Sequence, residues 1–437
     1  MGNSILRSGS WAVSGKLFLF LSNLTINIII VRMLVAKDVG NYYAFISGIT
    51  IFSTFLNFGI KEVFTHKLST SFSMQSSETG HIIMQYLNIS SLISLFIILI
   101  FIPLLGLYYL FYGEGNIYLY IVLIIYIALN NVQTYLSEAF RGIHNIKWSL
   151  GLGGVFSNGI VLPILLFAWF NSIKSDVKLI FVAFSLASII SLLLGWRKIV
   201  TEFSLYSEVD TFLEWKKILT SAFPFFMSIL GLMLIQESYV WVTKINFGSE
   251  ALALIGVAFR FVGLIAFPIT ILSFFISPII SKHIAKKKMN KLEIIIRTLS
   301  LWFAIPSVLV FVFFVFFGDL MLLELFGPTY EDSYFCLLIL CFGQLINILT
   351  GCNGTYLIVT GQGKLLMKAT IIGGFLSITL MAILGALWAL EGVAIGYAVG
   401  VAYVGIYCAH KIYFLDGIKT WVGGTFNLSK LYRIVAL

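Results

Sequence analysis

The chain has 437 residues, 59% of them hydrophobic and 11% charged, with a formal net charge of +9 and a mean hydropathy of +1.00. Soluble domains carry about 25% charge, so this composition excludes a water-soluble fold, which would have nowhere to hide its apolar surface. A bilayer solvates that surface, and at about 20 apolar residues per span the length allows about twelve transmembrane helices.

The first apolar run follows a short basic segment, as a signal peptide would. The run from Trp11 to Leu34 is too long for a signal core, contains Lys16 and lacks a small-residue cleavage site. It is expected as a retained first helix. Apolar runs broken by charge then predict spans at 11–34, 39–60, 83–111, 117–140, 149–170, 177–196, 218–244, 251–278, 294–317, 334–358, 366–388 and 392–414. Pro103, Pro163, Pro224, Pro268 and Pro306 fall inside these runs; membrane helices tolerate such kinks where neighbours satisfy the freed carbonyls.

Charge placement tests the count. With the amino terminus inside and twelve crossings, 22 of the 28 Lys and Arg fall in inner segments, five in outer segments, and one, Arg260, within a span. Cationic loops resist translocation, so both termini are expected in the cytoplasm. The basic run at 286–291 reads as orientation charge with attraction to anionic lipid, not as nucleic-acid binding.

The longest polar interruption, 201–216, holds Glu202, Glu208, Asp210 and Glu214 near the chain's middle. It predicts a cytoplasmic linker between an amino-terminal six-helix bundle at 1–200 and a carboxy-terminal one at 217–414, with a cytoplasmic tail at 415–437. The halves resemble each other. Gly40 and Gly256, in similar surroundings, are 216 residues apart, and Gly142 and Gly361 are 219 apart. Six spans per repeat keep both halves in the same orientation, as in transporters with parallel repeats.

Charge inside hydrocarbon costs roughly 2.5–3.5 kcal/mol on insertion scales, so intramembrane polar residues face a partner or a wet hollow. Arg260 lies in the eighth span between Gly256 and Gly263, and its planar fork suits a phosphate; a structural ion pair is the other reading. Glu237, in the seventh span, sits at matching depth and predicts a Glu237–Arg260 pair. Polar stripes at helical spacing run through the first span (Lys16, Asn23, Asn27), the second (Thr50, Thr54, Asn57, Lys61), the fourth (Asn130, Thr134, Glu138, Arg141) and the tenth (Gln344, Asn347, Gly351). They either line a cavity or bond helix to helix. Glu138 and Arg141, near the inner surface, read more readily as a salt bridge.

Cys336, Cys341, Cys352 and Cys408 sit in apolar runs without metal-ligand spacing. GxxxxGK[ST], HExxH and GxSxG are all missing from the sequence. No ATP, cofactor, metal or catalytic residue is expected, and the class predicted is a transporter. Glu237 is the candidate group for H⁺ or Na⁺ coupling.

RMLVAKDVGNYYAFISG after the first span, LNFGIKEVF closing the second, FPFF opening the seventh, LFGPTYEDSY before the tenth and LIVTGQGK after it together resemble the bacterial Wzx-type O-antigen flippases. These belong to the multidrug/oligosaccharidyl-lipid/polysaccharide (MOP) exporter superfamily. The resemblance implies an all-α fold of two six-helix bundles set in a V around a central cationic cavity. It implies a cargo of undecaprenyl pyrophosphate carrying an oligosaccharide, and other polysaccharide-assembly membrane proteins as partners. The lipid II flippase of the superfamily uses cations on its first, second and eighth helices; Arg260 matches the last in kind, and Lys16 and Lys61 correspond more loosely. Drug exporters of the superfamily commonly carry an acidic residue on the first helix, whereas this chain has no Asp or Glu between Met1 and Lys37. A drug antiporter is the first alternative. A polysaccharide polymerase or ligase is the second, and it would be expected to carry a large catalytic outer loop.

Overall fold

The computed structural model describes residues 2–74, 79–112, 117–173, 176–202 and 215–423. Its regular elements are all helical: α1 (Gly2–Met33), α2 (Ala36–Asn57), α3 (Ile60–Ser73), α4 (Thr79–Tyr112), α5 (Ile117–Gly142), α6 (Ile146–Leu150), α7 (Phe156–Phe170), α8 (Val177–Glu202), α9 (Trp215–Ala285), α10 (Met289–Phe326), α11 (Tyr334–Leu349), α12 (Asn353–Val359) and α13 (Gly363–Asp416). Among the described residues ten helical segments are long and apolar enough to cross a membrane. Two are double. α9 breaks at Gly248 (φ 86°, ψ −177°) and α13 at Trp388 and Ala389, so each supplies two spans and the described residues contain twelve. Large side chains such as Phe170, Phe316 and Phe414 stand more than 70% exposed. That is tolerable only where lipid covers them.

Two compact units divide the chain, Met1–Phe226 and Met227–Leu437. The linker expected at 201–216 lies largely outside the described residues, and the unit boundary falls inside α9. The first turns of that helix pack with the amino-terminal unit: Phe226 stacks on Phe58 at 4.4 Å, and buried Ala222 lies against Gly59.

The first unit's core gathers at α3, a helix absent from the predicted spans. Its buried Ile60, Phe64 and Leu68 recur every four residues and meet Ile83 and Tyr86 of α4, Tyr135 and Phe140 of α5 and Ile199 of α8. Phe64 stacks on Tyr86 at 4.4 Å. α3 is separate because Phe58 (φ 43°) and Gly59 (φ 71°) are both left-handed, which ends α2 at Asn57. This corrects the second polar stripe: Thr50, Thr54 and Asn57 share α2, but Lys61 lies on α3 and is not continuous with them. The fifth span is also irregular at its start. Between α6 and α7, Gly151–Val155 form a π-helical turn around Gly154 (φ 134°), which only glycine adopts without strain.

The second unit packs Leu272, Ile276 and Ile280 of α9 against Leu292 and Ile296 of α10, Tyr356 of α12 and Ile412 of α13. α11 approaches the second limb of α13 through Gly343, where a Cβ would overlap the Ala398 backbone; small residues admit such contact in membrane bundles. The tenth span, predicted at 334–358, is interrupted. Thr350–Cys352 leave the helix, with Gly351 at φ 89°, before α12 begins.

That interruption is filled by the chain after α13. A tail was expected from 415. α13 ends at Asp416, and residues from 417 to 423 fold back onto the unit. Thr420 Oγ1 donates to Asn353 Oδ1, and the Val422 amide donates to the Leu349 carbonyl at 2.9 Å. Asn353 Nδ2 in turn donates to Thr350 Oγ1 (3.1 Å) and the Gly405 carbonyl (3.0 Å). Asp416 is held by Tyr356 Oη (2.9 Å) and Gln362 Nε2 (2.8 Å). The remainder of the expected tail lies outside the described residues. A Cβ on Gly351 would collide with the Thr420 carbonyl oxygen. Gly351→Ala is therefore expected to release the segment. In detergent-solubilised protein, tryptic cleavage at Lys419 should accelerate about tenfold or more, in line with loss of one or two such bonds, while Gly354→Ala, where a Cβ meets open space, leaves the rate unchanged.

Candidate functional site

Each unit carries its own part of the predicted polar set. In the first, α5 shows most plainly how the stripes are used. Between 130 and 141 the residues its neighbours leave uncovered are Asn130, Val132, Thr134, Glu138 and Arg141. Four of these five are the predicted stripe. A polar helical face in a span that nothing apolar covers is suited to water rather than lipid. Asn130 forms no hydrogen bond with a described residue. Glu138 Oε2 bonds Arg141 Nη2 at 2.9 Å and accepts from Thr65 Oγ1 of α3 at 2.8 Å, so Glu138 serves as the expected salt bridge.

The adjacent polar residues of α5 do the opposite job. Asn131 donates to the Ser90 carbonyl and to Ser94 Oγ of α4, both at 3.1 Å. Gln133 donates to the Leu152 carbonyl (2.7 Å) and Ser157 Oγ (2.9 Å), and Ser137 to the Ser149 carbonyl (2.8 Å). The Asn131 bonds join α5 to α4, whereas Gln133 bonds a carbonyl of the π-helical turn at Gly151–Val155 and, with Ser137, the residues flanking it. The sequence reading missed them. One step along a helix turns about 100°, so Asn130 and Asn131 face different surroundings although they are adjacent and alike.

On α1, Asn23 Oδ1 and Ser22 Oγ both accept from Asn158 Nδ2 of α7, at 3.0 and 2.8 Å. Asn27 Nδ2 donates back to the Asn23 carbonyl at 2.9 Å. Asn23 is thus engaged in helix–helix bonding, the second of the two readings open for it, whereas Asn27 bonds within its own helix, and Asn158 is a partner the sequence did not single out. Asn57 donates to the Ser53 carbonyl at 2.7 Å. In both Asn27 and Asn57 the Oδ1 acceptor is buried without a hydrogen-bond partner among the described residues, an arrangement that costs about 1–3 kcal/mol unless a water or ligand donates. Lys16 is half-buried on α1 within electrostatic reach of Arg141. Lys61 is 3.9 Å from Glu62. Lys16 and Arg141 therefore form a cationic region, partly compensated by Glu138, while Lys61 is paired with Glu62.

In the second unit Glu237 and Arg260 stand on the two limbs of α9, eleven residues before and twelve after the Gly248 break. Their levels are fixed by a neighbouring contact. Tyr239 and Phe259 stack at 4.2 Å with 18° between their planes, and Phe259 meets Tyr397 of α13 edge-on at 5.0 Å. The limbs are therefore antiparallel neighbours, with Glu237 and Arg260 at one level along them. Both are half-buried. Gln344 of α11 is 92% buried and forms no hydrogen bond with a described residue, while Asn347 packs its Oδ1 against Gly405 of α13.

The described residues contain no cluster of three or more His, Cys, Asp or Glu able to hold a metal ion. The four cysteine thiols are free and buried, as small apolar side chains would be.

Solved transporters share this fold. A multidrug resistance MATE family transporter of the MOP superfamily, in its inward-facing conformation, superposes with a TM-score of 0.72 at 16% identity over 91% of this chain and 95% of that one. A mutant of the Vibrio cholerae MATE transporter VcmN gives 0.66 at 14% over 95% and 97%. A MOP superfamily transporter from Pyrococcus furiosus, described as having a binding pocket of reverse polarity suggestive of a different function, gives 0.67 at 16% over 94% and 96%. No curated protein matches the sequence. The MatE family profile matches residues 224–383, and the profile described as polysaccharide biosynthesis protein matches residues 5–269. The match to the second profile covers more than half of the sequence: this chain belongs to the polysaccharide biosynthesis protein family and is a membrane transporter of the MOP superfamily, not an enzyme.

Proposed function

We propose that the protein is a flippase that carries an undecaprenyl-pyrophosphate-linked oligosaccharide from the inner to the outer leaflet of the bacterial inner membrane by alternating access. The observation that carries this reading is a guanidinium, Arg260, held half-buried within a span of a polysaccharide-family transporter. A cation within a span needs an anionic counterpart, and an anionic headgroup can take that place in exchange for a side-chain partner. Pyrophosphate offers paired oxygens to the planar donor fork. Lys16 and Lys61 receive the headgroup at the inner mouth, and Arg260 holds it during passage. The vacant acceptors of Asn27 and Asn57, with Asn23, Asn130, Gln344 and Asn347, accommodate sugar hydroxyls.

Glu237 neutralises Arg260 while no cargo is bound, and is the group that H⁺ or Na⁺ would compete for. The membrane potential, negative inside, favours outward movement of an anionic headgroup by about 2.3 kcal/mol per charge per 100 mV. The drug-antiporter alternative is supported by the MatE match, but α1 contains no Asp or Glu, and an Arg in a span is poorly suited to a cationic drug.

Arg260→Ala, inserted at wild-type abundance, is expected to lower surface polysaccharide at least tenfold in cells that depend on this protein, as loss of a charge-assisted pair of ~1.5–3 kcal/mol requires. Arg260→Lys should retain part of the activity. Unchanged polysaccharide in Arg260→Ala would sink the role given to this residue. Exchanging the charges (Glu237→Arg with Arg260→Glu) should restore folding without restoring transport.

The orientation has its own test. A cysteine at Glu331 should react with a membrane-impermeant maleimide in intact cells, and one at Lys286 only after permeabilisation. The reverse pattern would place the basic loops outside.

A further inference from the structure

The first unit holds a cavity of about 600 Å³ whose lining includes none of the residues given a transport role. Its walls are two helical faces. On α3, Val63, Lys67, Thr70 and Met74 follow one another at helical spacing; on the first turns of α9, Ser221 and Phe225 do the same. Lys217 precedes Ser221 by one turn, so that face also ends in a cation. Ile82 of α4 closes the apolar side, and His66 stands beside Lys67 at the rim.

The chemistry of the lining is divided. Val63, Met74, Ile82 and Phe225 make most of it apolar, whereas Lys67, His66, Thr70 and Ser221 supply donors at the edge. Lys67 and His66 are exposed, and neither forms an ion pair with a described residue. The nearest carboxylate on α3, Glu62, is engaged with Lys61. Ser71 also lines the cavity, and its bond to Thr79 at 3.1 Å ties α3 to α4 beside it. The charge bias of the loops assigns Lys67 and Lys217 to the inner surface, where an apolar slot next to cations meets lipid headgroups rather than open water.

We propose that this cavity is a binding site for an anionic lipid, its phosphate-ester headgroup held by Lys67, His66 and Lys217 and its alkyl chain lying on Val63, Ile82 and Phe225. A free anion would leave the apolar lining unused, and a zwitterionic lipid would bring its own cation to the basic rim. The phosphate ester comes either from a bulk glycerophospholipid or from a polyprenyl phosphate. The lining shares no residue with the proposed transport set, and the site does not depend on which cargo the protein carries.

The full chain, purified in detergent, is to be examined by native mass spectrometry with dioleoyl phosphatidylglycerol, dioleoyl phosphatidylcholine, undecaprenyl phosphate or inorganic phosphate added singly. Wild type should retain phosphatidylglycerol or undecaprenyl phosphate, whichever is held identifying the source, and should not retain phosphatidylcholine. Lys67→Glu should lower that retention about tenfold, as expected for reversing one cation at an anionic headgroup. Ser221→Trp, at an exposed position, should do the same by filling the slot. Lys286→Glu, in the other unit, should change nothing. Equal retention of phosphatidylcholine, binding of inorganic phosphate alone, or undiminished retention in Ser221→Trp would overturn the site. Loss of retention in Lys67→Glu with polysaccharide export intact supports the site and leaves the proposed function standing. Loss of export in Arg260→Ala with lipid retention intact shows that the two sites fail separately.

Discussion

Within hydrocarbon no water is available to a bare peptide group, so each N–H and C=O must find its partner inside the protein. Most of this chain meets that demand by remaining helical. The informative places are those where it does not. At Gly248 and at Trp388–Ala389 the backbone turns back on itself and starts a new span. At Gly151–Val155 and at Thr350–Cys352 the irregularity lies at the end of or inside a span, and bonds from other parts of the chain support it. Gln133 and Ser137 bond carbonyls at or beside the first of these places; at the second the Val422 amide takes the Leu349 carbonyl, and Asn353 joins Thr420 to the Gly405 carbonyl. Much of the polar content of the spans is explained by this repair work before any cargo is considered.

The two roles of polar residues then separate by exposure. On α5, Asn131, Gln133 and Ser137 are buried and bonded, while Asn130, Thr134 and Glu138 remain partly uncovered. The first set builds the helix packing, and the second lies on a face that its neighbours leave partly open. Arg260 is likewise only partly covered. It is half-buried on a limb whose register is set by the Tyr239–Phe259 stack, with Glu237 at the same level. Aromatic packing positions the helices, and the charges take their depth from it.

Hydropathy and loop charge made nearly the whole architecture readable before any coordinates, because span length is imposed by the bilayer. The predicted boundaries at 117–140 and 177–196 begin at the residues where α5 and α8 begin. The failures have local causes. α3 escaped because an amphipathic helix of 14 residues is too short and polar to register as a span. The division between α2 and Lys61 depends on a non-glycine residue, Phe58, adopting a left-handed conformation, which no periodicity reveals. The break at Gly351 looked like one more glycine in a membrane helix. Among the site residues, the depth of Glu237 and Arg260 was legible from counting alone. The engagement of Asn23 with Asn158 was not, since it joins residues 135 positions apart.

The segment after α13 bears on how the protein is made. The opening between α11 and α12 is completed by Thr420 and Val422, residues synthesised some 70 positions after the groups they satisfy. Asn353 and the Leu349 carbonyl must therefore wait, through insertion of the last two spans, for partners that have yet to leave the ribosome. The hydrogen bonding of this unit is therefore complete only once the polypeptide beyond α13 has tucked in.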